Sequence, residues 1–338
     1  MPVSDAFVVG EDWISEHYFT TDAKAESFQG KILDRRKEWD ASEIETSHSR
    51  FAAARGRLEK AFTNLLADGA EASDVDDLND DLLNVLGYRT GQFATNIEGP
   101  LTWVSSPGIT GQGPLAILNA LPADSVDDVI AKDAPSLAEP FITEDGAEYK
   151  SAARLVSSLF VREEAPAFVL VLAGRWAVIA EQERWPEGRY LAVDLQTVAE
   201  RNDTKRGGEV DRALTCLEAG SLAPDADGAI WWSSVLEDSV KHTVGVSKDL
   251  REGVRLSIEI IANDVVTRRA AQGLEPLPQS QAQPLAIQSL RYLYRILFLL
   301  YAEASPELGV LPTGASEYEQ GYSLDRLREL TLVELHGP

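Results

Sequence analysis

The stretch that most constrains the fold is Phe168-Val169-Leu170-Val171-Leu172, followed by Gly174-Arg175 and then Trp176-Ala177-Val178-Ile179-Ala180. Two apolar runs around a two-residue turn that contains glycine specify a β-hairpin. Neither run alternates with polar residues, so the hairpin is expected to be buried. Tyr190-Leu191-Ala192-Val193-Asp194-Leu195 reads as a third strand. Leu101-Thr102-Trp103-Val104, bounded by Gly99-Pro100 and Pro107-Gly108, opens the α/β portion.

Helical periodicity dominates the rest. From Ser49 to Asp68, residues Phe51, Leu58, Phe62, Leu65 and Leu66 share one face, with Gly69 where a helix-ending glycine would stand. Asp76 to Leu86 carries Leu78, Leu82, Leu83, Val85 and Leu86, with Asp74, Asp76 and Asp77 near the positive end of the helix dipole and Gly87 closing it. Asp12 to Trp39 reads as helical, its run Asp34-Arg35-Arg36-Lys37-Glu38 as a solvated face. Tyr149 to Phe160 and Ser234 to Gln272 are helical, and 275–284, with three prolines, is a linker. Leu285 to Ala304 is apolar on nearly all sides, the pattern of a central core helix. The fold class expected is α+β, predominantly α-helical, with a small mixed sheet around residues 165–195 flanked by helical portions. The expected organisation is an N-terminal helical region over 1–87, a small α/β region over 88–228 and a helical region over 229–338.

Several functional classes are disfavoured by composition. A single cysteine, Cys216, excludes an intrachain disulfide framework and a cysteine-based zinc or iron–sulfur site. His17, His48, His242 and His336 lie far apart, with no His-Glu-x-x-His spacing, so no metal site is expected. No run of about 18 apolar residues occurs, and the first residues lack the basic and apolar parts of a signal peptide; no membrane association and a cytoplasmic location are expected. The net charge of -24 opposes a phosphate backbone over the surface as a whole. Charge is unevenly spread, however. Between Ser239 and Tyr301 eight basic residues face five acidic ones, a local +3 that leaves -27 elsewhere. Lys241, Lys248, Arg251, Arg255, Arg268 and Arg269 are therefore the candidates for contact with phosphate.

Catalytic motifs are sparse. Gly108-Ile109-Thr110-Gly111-Gln112-Gly113 superficially resembles a nucleotide-cradling loop, but the third glycine of the dinucleotide fingerprint is out of place and a plain turn is the simpler reading. No Gly-Lys-Ser/Thr and no Gly-x-Ser-x-Gly occurs. Glu148-Tyr149-Lys150 has the Glu-x-Lys spacing of metal-dependent nucleases, in which a carboxylate holds the metal beside a lysine that orients water. With Asp145 it forms the nuclease alternative; Glu181 and Glu183 are a second acidic pair, without the lysine. Trp231-Trp232 reads as core packing or a helix staple.

Four strings carry a family resemblance. They are 167–175, 183–195, Glu237-Asp238-Ser239-Val240-Lys241-His242, and above all Leu293-Tyr294-Arg295-Ile296-Leu297-Phe298-Leu299-Leu300-Tyr301-Ala302-Glu303-Ala304 with Tyr322-Ser323-Leu324. Over about Glu11 to Leu335 the chain resembles the N-terminal region of large bacterial DNA adenine methyltransferases of the type IIG restriction–modification-like class, including those of phage-defence systems such as BREX and DISARM. In that family an S-adenosylmethionine domain follows, with an Asn-Pro-Pro-Tyr or Asp-Pro-Pro-Tyr motif that grips the flipped adenine. Neither Asn-Pro-Pro nor Asp-Pro-Pro occurs here, so the chain is expected to be inactive alone and to carry no cofactor; S-adenosylmethionine is expected only of the full-length family. The ending at Gly337-Pro338 looks like that of a fragment. The resemblance implies a non-catalytic scaffold whose partners are a methyltransferase core or other defence subunits, together with double-stranded DNA. The alternatives are the divergent nuclease and, from net charge alone, an acidic DNA mimic.

Overall fold

A computed structural model describes residues 4–20, 27–65, 72–105, 115–143 and 146–324, with backbone alone at 244–249 and 307. The fold is α+β and mostly helical, with 54% of residues in helices. It divides into two compact units, Met1–Thr243 and Val244–Pro338.

In the first unit the chain runs through β1 (Phe7–Gly10), α1 (Glu16–Thr20), α2 (Phe28–Ala41), α3 (Ser47–Leu65) and α4 (Ala72–Val85). There follow β2 (Ala94–Glu98), β3 (Leu101–Ser105), β4 (Leu115–Asn119), α5 (Val126–Ile130), β5 (Phe141–Ile142), β6 (Glu148–Tyr149) and α6 (Ala152–Leu159). The unit is completed by β7 (Phe168–Ala173), β8 (Trp176–Glu181), β9 (Tyr190–Asp194), α7 (Leu195–Arg201), α8 (Glu209–Leu217), α9 (Ala219–Leu222) and the start of α10 (Trp231–Ala271).

Seven strands form one mixed sheet in the order β1-β9-β8-β7-β4-β3-β2, while β5 and β6 pair separately. The hairpin specified by sequence is its centre, with Ala173 opposite Trp176 and Gly174 at φ +66° in the turn. β4 lies parallel to β7, Ile117 opposite Leu170, and the segment carrying α5 and α6 makes the crossover that a parallel pair requires. The sheet is larger than the three-strand patch read around 165–195. The missed strand β4, Leu-Ala-Ile-Leu-Asn, is apolar over its first four residues because both its faces are covered there, and such a run has no period that separates strand from helix.

The pleat sorts side chains onto two cores. Phe168, Leu170, Leu172, Ile179 and Leu191 face a helical layer of α1 to α4 and α7 to α10, whereas Val169, Val171, Val178 and Ala192 face α5 and α6. α3 buries Phe51, Ala54, Leu58 and Phe62, a stripe at helical spacing. α4 ends at Gly87, φ +89°, where Tyr88 N–H donates to Leu83 O at 2.9 Å and Gly87 N–H to Asn84 O at 3.1 Å, a paired-bond cap that needs a left-handed residue. At Gly10 the constraint is space, since an added Cβ would fall 2.4 Å from the Tyr190 ring. The Gly69 cap and the Gly108–Gly113 loop lie outside the described residues.

The charged run of α2 is solvated at Asp34, Lys37 and Glu38, while its two arginines turn inward. Arg36 donates to the fully buried Asp211 of α8 at 2.7 Å and pairs with Asp40 at 2.9 Å, while Arg35 Nε lies 3.0 Å from Glu218. These contacts pin α2 onto α8 and α9.

The second unit holds the remainder of α10, then α11 (Ala282–Ala304) and the short α12 (Ser316–Gly321). The helical stretch expected from Ser234 to Gln272 belongs to one long helix, continuous from Trp231 to Ala271.

Candidate docking surface

α11 has the composition of a core helix and the environment of a surface helix. Among its residues only Ser289 and Ala302 are buried. Leu290, Tyr292, Tyr294, Leu297, Phe298 and Tyr301 are 45% to 69% exposed. The expected central core helix is thus unburied within this chain. The physical reason is a shortage of partners, for among the described residues of this unit α10 is the only other long helix. On α10, Leu250 at 64% and Ile260 at 69% exposure extend the apolar character. The half-exposed aromatics alone present on the order of 400 Å². Leu290 and Leu297 of the same helix add to it, and contiguous apolar patches beyond a few hundred Å² are unusual on monomers.

Charge on this surface is thin and mostly self-neutralised. Of the candidate phosphate contacts, Lys241 lies 3.6 Å from both Glu237 and Asp238, and Arg255 pairs with Glu252 at 2.6 Å and with Glu259. Arg268 pairs with Asp264 at 2.7 Å, and Arg269 donates to Glu275 O at 3.1 Å. Arg251 is exposed and has no ion pair among the described residues, and the same holds for Arg291 and Arg295 on α11. The side chain of Lys248 lies outside the described set. The fold therefore strings these cations along one helix, and Lys241, Arg255 and Arg268 are each paired with carboxylates three or four residues away, a spacing that neutralises charge locally.

Asp145 is outside the described residues; Glu148, half exposed on β6, pairs with Lys150 at 3.1 Å. Both side chains face solvent, Glu148 on the two-residue strand β6 away from the central sheet and Lys150 just after it. Glu181 closes the buried strand β8, but its carboxylate accepts from Arg184 N–H at 3.0 Å and from Arg184 Nη1 at 3.2 Å, while Glu183 is exposed. Among the described residues no three His, Cys, Asp or Glu side chains converge as a metal-holding group. Trp232 is a core residue: its Nε1 donates to Cys216 O at 2.8 Å, and its ring stacks on Phe28 at 5.7 Å.

One cleft in the first unit, about 500 Å³ and lined by Arg35, Trp39, Arg50, Phe93 and Glu218, was invisible in the sequence because its walls come from α2, α3, α4 and α9. Burial pushes the Glu218 carboxyl up, opposed by Arg35 and by bonds from Ser47 and Trp39. Arg50 spends its donors on Val85 O, Glu45 O and Ser47 Oγ at 3.1, 2.9 and 3.2 Å. The cleft's charges thus close largely on each other, a structural use of buried ions.

No protein-family model, no curated protein and no solved structure matches this chain. No helix among the described residues is long and apolar enough to cross a membrane.

Proposed function

We propose that this chain is a non-catalytic scaffold whose second unit docks onto the methyltransferase core of a DNA adenine-modifying restriction or phage-defence enzyme. The observation that carries the reading is the apolar helix α11, largely exposed yet rich in leucine, phenylalanine and tyrosine. An uncovered surface of this kind marks an interaction site. A second point supports the choice of partner: the string Leu293 to Ala304, the most specific part of the resemblance to adenine methyltransferases, is the C-terminal half of α11. Arg291 and Arg295, unpaired among the described residues, suit a partner groove rimmed by carboxylates.

In this reading DNA affinity belongs to the complex, and S-adenosylmethionine to the core. The test is a titration of the fluorescently labelled chain with the separately purified methyltransferase domain encoded at the same locus, repeated with Leu297→Asp and Phe298→Asp. A complex that each substitution weakens at least tenfold, with unchanged far-ultraviolet circular dichroism, is the expected result. No complex, or one indifferent to both substitutions, refutes the docking. A parallel run with duplex DNA at low and moderate salt, with Lys248→Glu and Arg251→Glu, separates direct phosphate contact from recognition carried by the core.

A further inference from the structure

Two of the four histidines, 225 positions apart in sequence, meet at the surface of the first unit: His17 Nδ1 lies 2.9 Å from His242 Nε2, and the rings stack with centroids 5.1 Å apart. His17 stands on α1 and His242 on the first part of α10. Neither position is adventitious in the fold. α1 is fixed by its neighbours Tyr18 and Phe19, both fully buried, and Ser15 N–H donates to Ser239 Oγ at 3.0 Å, one turn before His242. The Tyr18 ring, 5.5 Å from that of His242, backs the second imidazole. Asp238, four residues before His242, is already taken by Lys31 at 2.8 Å and Lys241 at 3.6 Å.

We propose that His17 and His242 form a two-imidazole site for a divalent transition-metal ion of the zinc class, clamping α1 to the root of α10. Ring nitrogens that both bind zinc at about 2.0–2.1 Å in tetrahedral geometry stand about 3.3 Å apart. The observed 2.9 Å is a few tenths of an ångström short of that separation. The pair as it stands shares one proton between the facing nitrogens, one ring donating and the other accepting. Ligation needs a lone pair on both facing atoms. The donating ring therefore moves its proton through solvent to its own far nitrogen, and a neutral pair takes the cation without net proton release. Imidazole selects zinc, copper or nickel over magnesium and calcium. A two-imidazole site leaves the other positions of a tetrahedral ion open to water, which keeps the ion exchangeable. Sequence spacing conceals this site because its two ligands belong to helices at opposite ends of the unit.

The proposal is independent of the docking reading and is tested on the full chain with zinc chloride alone. Calorimetry at about neutral pH in a non-chelating buffer is expected to show one site per chain. His17→Ala and His242→Ala each weaken it at least tenfold, His48→Gln leaves it unchanged, and zinc raises the melting temperature of the wild type and of His48→Gln more than that of either alanine variant. Since a variant might be faulted for altered folding, nitrogen-15 imidazole spectra of the wild type provide a second reading: zinc is expected to shift His17 Nδ1 and His242 Nε2. Absence of zinc uptake, uptake that survives both alanine variants, or shifts confined to other side chains overturns the site and leaves a hydrogen bond only.

Discussion

α10 passes from one environment to another along a single helix. In the first unit its opening residues Trp232, Val235 and Leu236 are at most 2% exposed, sealed against Trp13, Phe28 and the helical layer. Farther on, in the second unit, Leu250 and Ile260 of the same helix are more than 60% exposed. The residue types are alike and the periodicity is unbroken. What differs, among the described residues, is the number of elements packed against them. Apolar patterning therefore states that a face needs a cover and is silent on whether the cover is supplied by the same polypeptide.

The sharpest way to break the comparison is to remove an apolar side chain from the sealed side. Trp232→Ala deletes a ring packed on Trp13 and Phe28 together with its bond to Cys216 O, and is expected to cost about 3–5 kcal/mol in chemical denaturation. A loss under about 1 kcal/mol would show that this core is loosely packed and that the contrast with α11 is one of degree.

Next in size is the buried charge that joins α2 to α8. Asp211 is fully buried, accepts from Arg36 Nη1 at 2.7 Å and from Gly207 N–H at 2.9 Å, and lies 3.7 Å from His48. Asp211→Ala leaves Arg36 and the Gly207 N–H short of an acceptor and is expected to cost roughly 3 kcal/mol. Asp211→Asn, which keeps the volume and an acceptor, is expected to cost less; equal losses would assign the effect to the lost charge rather than to packing.

These two sites show how far the sequence could be read. The hairpin at Gly174-Arg175, the α3 stripe and the Gly87 cap were legible because each rests on local chemistry: a turn, a 3.6-residue period, a left-handed glycine. β4 was not, since burial on both faces removes its period. The burial of Arg35 and Arg36 was hidden by their company in a charged run, and only the distant Asp211 and Glu218 explain it. The His17–His242 pair was beyond reach for the same reason: convergence of residues separated by 225 positions has no local signature. The apolar character of α11 was plain in sequence, and its exposure was not.

A smaller effect is expected from pH. Burial and the neighbouring Arg36 hold the His48 imidazole below its usual 6.5. Its Nε2 lies 3.0 Å from Arg36 Nη1, whose N–H it accepts, a bond that a protonated ring loses. As pH falls through the unfolded-state value near 6.5, the unfolded chain takes a proton that native His48 refuses, and stability declines. Glu218, pushed up by burial, acts with the opposite sign: its native carboxyl protonates first, so its contribution grows as pH falls towards the ordinary 4.5. His48→Gln is expected to flatten the stability curve just below pH 6.5 and leave the acidic limb near 4.5 unchanged. An unaltered slope below 6.5 would remove His48 from the account.

The smallest stability effect is the one that tests the exposed side. If α11 has no cover in the isolated chain, replacing Leu297 or Phe298, 45% and 48% exposed, with serine changes the unfolding free energy by no more than about 0.5 kcal/mol. The same change in a packed helix costs several kcal/mol through the cavity it leaves. Two outcomes then separate cleanly. A loss of more than about 2 kcal/mol in the monomer would mean that α11 is covered within the chain, and the docking reading would fall. A near-zero change that becomes a large one when the methyltransferase core is present would locate the missing cover on the partner, because only a ligand of the native state converts a neutral surface substitution into a stability difference.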